Sequence, residues 1–274
     1  MTMISLLKAE AAVREQPREA AKLLRRLLLP YGGGDFFFTG GEKPLFLLDL
    51  TLPADNEAGV NFDIRLAYAV RELARECGVQ QICFGVRVED GFSFADVLEK
   101  SGYARLAELE GVRFFDLSAV EGEMRETDTG LVLDQVELAR FVLEADIIIS
   151  LAKFRAGEGH LFGGAMHNMH IAAKLSPEYG FAAQQRALVD IYSIIAPDLT
   201  IVDGLRGESG FQPQAEDFIL AAVDAVAADA VLAAIAGIDL EAVGCLQAAA
   251  QYGLGVGEPA DIRLYGDDMG EIMC

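Results

Sequence analysis

One stretch of this chain, LAKFRAGEGHLFGGAMHNMHIAAK at residues 151–174, gathers most of the side chains that could do chemistry. All three histidines of the protein, His160, His167 and His170, fall inside it. Imidazole suits a divalent metal ion, or proton transfer beside a bound anion. Polar histidines hydrogen-bonded in an ordered cleft would account for the same cluster. His167 and His170 stand three apart and share a face if the segment is helical. The metal reading uses His160, His167 and His170, with Glu208 or Asp203 completing an open coordination shell. The acid–base reading gives the proton-transfer role to His167.

The same stretch is a basic island. Residues 151–176 carry Lys153, Arg155 and Lys174 against Glu158, a formal +2 in a chain whose net charge is −21. Gly157, Gly159, Gly163 and Gly164 allow backbone N–H groups to approach an anion. A helix predicted from about 163 to 175 would point its N-terminus at the same place. Lys153, Arg155, Asn168, Gly163 and Gly164 are therefore the expected anion-binding set, and a solvated structural turn is the alternative. Neither a phosphate-loop pattern nor a dinucleotide fingerprint is present. Two further carboxylates, Asp203 in Asp203-Gly204 and Glu208 in GLRGESGFQP, follow a predicted strand. They suit a general base or a metal ligand, and a turn-forming Asp-Gly with a solvated Glu explains them equally.

Helical periodicity alternating with short β-branched or aromatic runs supplies the frame. Helices are predicted at 1–29, 61–77, 94–102, 104–110, 134–144, 163–175, 181–195, 224–237 and 240–251. Strands are predicted at 36–38, 45–50, 81–88, 112–117, 146–151, 199–202, 218–223 and 262–265, with DIIISL the clearest buried one. This pattern implies an α/β fold of three layers, a mainly parallel sheet with helices on both faces. Residues 1–274 read as one domain, with 1–29 packing on it as a helix and 118–130 as an acidic, exposed excursion. The strands at 146–151, 199–202 and 218–223 should lie in one sheet, their carboxyl ends opening on a common cleft.

Composition narrows the partners. A charge of −21 disfavours nucleic acid and anionic membrane, because a diffuse negative field repels both. A small anionic molecule drawn to the basic island remains, and a homo-oligomer is compatible with the pattern. The longest apolar run, 221–238, is interrupted by Asp224 and Asp229, too polar for a membrane span. Residues 1–29 lack the apolar core and cleavage site of a signal peptide, so the cytoplasm is expected. Cys77, Cys83, Cys245 and Cys274 are scattered with no Cys-x-x-Cys. An iron–sulfur cluster or thiolate zinc site built from this chain alone is therefore not expected.

The order of segments resembles the uncharacterised family called domain of unknown function 362. The resemblance rests on Lys153-x-Arg155, Gly164-Ala165 leading to Asn168, Ile201-Val202-Asp203-Gly204, Glu208-x-Gly210 and the run from Asp224 to Ala230. Where that family has Lys-Pro-Asn after its first strand, this chain reads Leu48-Asp49-Leu50. A family histidine position is occupied by Gly157, and the family's Lys-Asn pair appears as His167-Asn168. Members often accompany ferredoxin-type iron–sulfur modules, so the resemblance implies an iron–sulfur or redox partner protein. It brings no reaction with it. Two functions are expected: a redox-associated enzyme with an anion- and metal-binding cleft, or a non-catalytic protein that holds a small anion.

Overall fold

The computed structural model of the chain describes residues 2–157, 161–173, 175, 178–207 and 215–273. In chain order its strands are β1 (Thr2–Lys8), β2 (Pro44–Leu48), β3 (Ile82–Val86), β4 (Val112–Asp116), β5 (Gly122–Glu126) and β6 (Gln135–Ala139). They continue with β7 (Ile147–Lys153), β8 (Arg155–Gly157), β9 (Leu161–Gly163), β10 (Leu199–Asp203), β11 (Phe218–Ala222) and β12 (Ile262–Gly266). Eight of these form one sheet in the order β12-β1-β11-β10-β7-β2-β3-β4. Every pairing in it is parallel except the two made by β11.

Alternation along the strands sends successive side chains to opposite faces, and both faces are covered. Leu45, Leu47, Ile148, Val202 and Leu220 face a core shared with helices Phe181–Ile194, Ala225–Ile235 and Gly244–Gln251. Phe46, Leu48, Ile149, Ile201 and Ile219 face the other core, under helices Pro17–Leu28 and Ile64–Glu76. The result is a three-layer α/β architecture with a mainly parallel sheet. Helix starts follow local chemistry: Asp63, Ser93 and Asp224 each accept a backbone N–H as N-caps. Among the described residues no helix is long and apolar enough to cross a membrane.

Several expected elements take another form. Residues 1–29 are not one helix: Thr2–Lys8 is a strand between β11 and β12, and the long helix begins at Pro17. MISLLK is too short to show a period, and a strand buried on both faces needs none. The stretch 134–144 opens with β6, whose Val136 and Leu138 turn inward while Gln135 and Glu137 stay exposed, a period of two. It pairs with β5, so the acidic excursion at 118–130 contributes one strand of a two-stranded ribbon. Residues 36–38 enter a helical turn, Gly34–Phe37, instead of a strand. The expected helix at 163–175 is β9, a turn and a short 3-10 helix, His167–Ile171. Because β11 runs antiparallel to β10, it begins at the edge where β10 ends, and its own carboxyl end points away from the expected cleft.

The loop after the ribbon's first strand takes most of its anchoring bonds from one side chain. Asp190, fully buried on helix Phe181–Ile194, accepts the N–H groups of Leu131, Val132 and Leu133 at 2.8, 2.8 and 2.9 Å. The Thr129 hydroxyl donates to the same carboxylate. Asp190→Ala is expected to cost about 2–3 kcal/mol in urea unfolding and to open 127–133 to limited proteolysis. An unchanged denaturation midpoint would contradict this.

Candidate functional site

Parallel strands deliver their ends to one edge of the sheet, and here that edge is charged. Asp49 follows β2, Arg87 follows β3, Lys153 closes β7 with Arg155 just beyond, and Asp203 closes β10. Lys153, 1% exposed, donates through Nζ to Asp203 at 3.0 Å and to the Leu205 carbonyl at 2.6 Å. Asp203 also accepts the N–H groups of Asp63 at 2.7 Å and Leu205 at 2.8 Å. Burial raises its carboxyl above the ordinary value, opposed by the Lys153 charge.

Arg155 lies in a second pair. Its guanidinium meets Asp49 through two bonds of 2.8 Å each and also donates to the Val60 carbonyl. Burial alone would raise Asp49, but the Arg155 charge holds it below the ordinary carboxylate value. Such a fork is strong and geometrically exacting. The expected anion-binding cations Lys153 and Arg155 thus each have a carboxylate inside the protein.

The glycines have an internal partner as well. Asp229, fully buried on helix Ala225–Ile235, accepts the N–H groups of Ala165 at 2.6 Å and Met166 at 3.0 Å. A Cβ on Gly164 would fall 2.2 Å from the Asp229 Oδ1, so the turn approaches that carboxylate only with glycine there. Burial pushes Asp229 up to about 7. Gly163 meets no such obstacle; its nearest neighbour is the Arg155 Cβ at 3.6 Å.

The turn presents the 3-10 helix, in which residues three apart eclipse one another. His167 and His170 therefore stand together, with ring centroids 4.9 Å apart. His170 Nδ1 lies 2.7 Å from the His167 carbonyl, a bond that places its proton on Nδ1 and the ring lone pair on Nε2. Asn168, between them and fully buried, donates to the Leu47 carbonyl at 3.0 Å and the Ser150 hydroxyl at 2.8 Å, pinning the helix to β2 and β7. Asn168 Oδ1 and His167 Nδ1 are buried with no hydrogen-bond partner among the described residues. Asn168 is thus a structural pin; its position in the sequence suggested an anion ligand.

Both histidines line two cavities. The larger, about 400 Å³, is bounded also by Arg87, Ser118, Phe181 and Gln185. The smaller, about 230 Å³, is bounded also by Asp49, Thr51, Val60 and Arg155. Part of each ring reaches these surfaces, yet protein crowds them closely. Burial, with the neighbouring His170, pushes His167 down to about 3, and burial lowers His170 too. Both imidazoles are neutral at physiological pH.

Arg87 is the site residue that sequence reasoning missed. It donates to the carbonyls of Ile171 at 3.2 Å and Leu117 at 3.5 Å, and no carboxylate pairs with it among the described residues. Burial lowers its pKa, which marks an incompletely compensated charge. The signal was available, since the strand-end rule that singled out Lys153 and Asp203 applies equally to β3. His160 and Glu208 lie outside the described residues. Among those described, no group of three His, Cys, Asp or Glu side chains is placed to hold a metal ion.

The family model described as "Domain of unknown function (DUF362)" matches residues 48–234, and the chain belongs to that family. A thylakoid-associated protein of Synechocystis sp. is 28% identical over 277 residues, covering 91% of this chain and 81% of that protein. Of solved structures, the lactate racemase apoprotein of Thermoanaerobacterium thermosaccharolyticum is similar at TM-score 0.40 and 12% identity, covering 77% of this chain. A Thermotoga maritima protein is similar at TM-score 0.38 and 13% identity, covering 69%. The chain spans 55% and 50% of those two structures.

Unfolding returns His167 to its ordinary value of 6.5. Below that pH the unfolded chain takes up a proton that the folded chain refuses, so stability falls as pH drops from 6.5 towards about 3. In His167→Gln the slope of unfolding free energy against pH, between about 4 and 6, should be shallower by up to one proton. Urea titrations at successive pH values measure it, and an unaltered slope would show that His167 is not a buried neutral imidazole.

Proposed function

We propose that this protein binds a small organic anion, a carboxylate, in the larger cavity at the carboxyl edge of its sheet. Arg87 is the counter-charge, and neutral His167 and His170 stand beside the ligand to exchange protons with it. The observation that carries this reading is the contrast among the cations of that edge. Lys153 and Arg155 are neutralised by Asp203 and Asp49, whereas Arg87 faces a cavity with backbone carbonyls as its only hydrogen-bond acceptors among the described residues, Asp116 and Glu137 attracting it without pairing with it. A guanidinium in a partly desolvated pocket is suited to recognise a carboxylate in a planar, two-bonded geometry. Neutral imidazoles are in the protonation state that a general base requires. The larger cavity is near the lower end of the ligand-site range of roughly 300–1,000 Å³, which favours a small molecule.

Calorimetric titration with acetate, butyrate, succinate and inorganic phosphate tests the binding. Arg87→Ala is expected to weaken the best of these by at least about tenfold, the loss of one charge-assisted contact, and Arg87→Lys to retain part of it. Equal affinity in wild type and Arg87→Ala, or none in either, would remove the reading. The proton-exchange role has its own readout: deuterium incorporation next to the bound carboxylate in heavy water, followed by proton NMR. Exchange that His167→Gln abolishes makes the protein an enzyme; binding without exchange makes it a carrier.

A further inference from the structure

We propose that the wall of this cavity formed by helix Phe181–Ile194 takes a second acidic group of the ligand, so that the preferred anion is a dicarboxylate. This rests on the reading of Arg87 as the counter-charge for the first. The helix is 14 residues long and begins without a side-chain cap, since its N-cap is Gly180. The N–H groups of Ala183 and Gln184 turn back to the Gly180 carbonyl. Those of Phe181 and Ala182 have no protein acceptor among the described residues. Phe181 and Gln184 line the cavity, which places this helix start on its wall.

Gln185 is the independent sign that something polar belongs there. It lines the same cavity, is only 5% exposed, and makes no hydrogen bond among the described residues. Its amide is not fully sealed but keeps some surface, and a bound acceptor in the cavity takes the place of water as its partner. Its N–H₂ group and the positive end of the helix favour the same kind of guest, an anionic oxygen. With Arg87 on the strand end, the cavity therefore offers cationic or donor groups on two separate elements. Glu89 and Asp90 also border it, but both are exposed and their charges are screened by water. The modest volume calls for a short chain between the two acidic groups.

Calorimetry with succinate, glutarate and adipate, each against the monocarboxylate of equal length (butyrate, pentanoate and hexanoate), tests the proposal. The best dicarboxylate should bind wild type at least about tenfold more tightly than its partner acid. Gln185→Leu and Gln185→Glu should both bring that ratio to within about twofold of unity, Gln185→Leu while leaving monocarboxylate affinity in place and Gln185→Glu with the dicarboxylate weakened more than its partner acid by the added negative charge. The Glu variant keeps size and polarity, so a loss of preference there is not a packing defect, and circular dichroism confirms the fold of each. Equal affinity for mono- and dicarboxylates in wild type, or a preference that survives in both variants, overturns this inference. Monocarboxylate binding that depends on Arg87, with no dicarboxylate preference, overturns it alone. Failure of wild type to bind any of the six acids overturns the underlying reading as well.

Discussion

A cation sealed inside a protein must find an anion there, and at the carboxyl edge of this sheet two cations are sealed. Arg155 closes on Asp49 and Lys153 on Asp203, with side chains almost wholly out of water. The pairs join β2 to the segment after β7, and β7 to β10. Their net contribution to stability is small, because desolvation offsets attraction, but losing one partner would strand a buried charge at about 3–5 kcal/mol. Their consequence is selective: having consumed the charges nearest the glycine-rich turn, they leave Arg87 as the cation of that edge without a paired carboxylate among the described residues.

The histidine pair depends on a second buried carboxylate. Asp229 grips the N–H groups of Ala165 and Met166, Gly164 admits that approach, and the chain leaves the turn as a tight 3-10 helix. In an α-helix His167 and His170 would be offset by some 60° around the axis; in the 3-10 form they eclipse. Asn168 then fixes the rotation of that helix against β2 and β7. Ring placement is thus set from beneath, by groups that never touch the cavity.

The layers and the mainly parallel sheet were readable because DIIISL, LTIVD and their neighbours are apolar on both faces, as buried parallel strands are. The segment 151–170 was readable as a candidate site because its residue types are concentrated there. What was not readable is pairing. Charge counting treats Lys153 and Arg155 as free, and nothing local announces that Asp49, about a hundred positions earlier, will sit on Arg155. The direction of β11 is likewise a tertiary choice. The segment expected to be a helix at 163–175 is likewise anchored from far along the chain, by Asp229 on the N–H groups of Ala165 and Met166, and forms only the short 3-10 helix His167–Ile171. β6 is different, since the alternation of Val136 and Leu138 with Gln135 and Glu137 was present and was outweighed by helix-forming residues.

β1 sits between strands made much later: Ile4 lies opposite both Ala222 and Leu264. On the ribosome, β2, β3, β4 and β7 can close on one another while β1 has no partner on either side. Its backbone groups, and the side chains of Ile4, Leu6 and Leu7 that end fully buried, stay uncovered until β11 and β12 have been synthesised. Completion of this part of the sheet therefore waits on strands made more than two hundred residues later. In the interval the segment MISLLK is a two-edged apolar strand of the kind that chaperones shield and that otherwise pairs with the wrong chain.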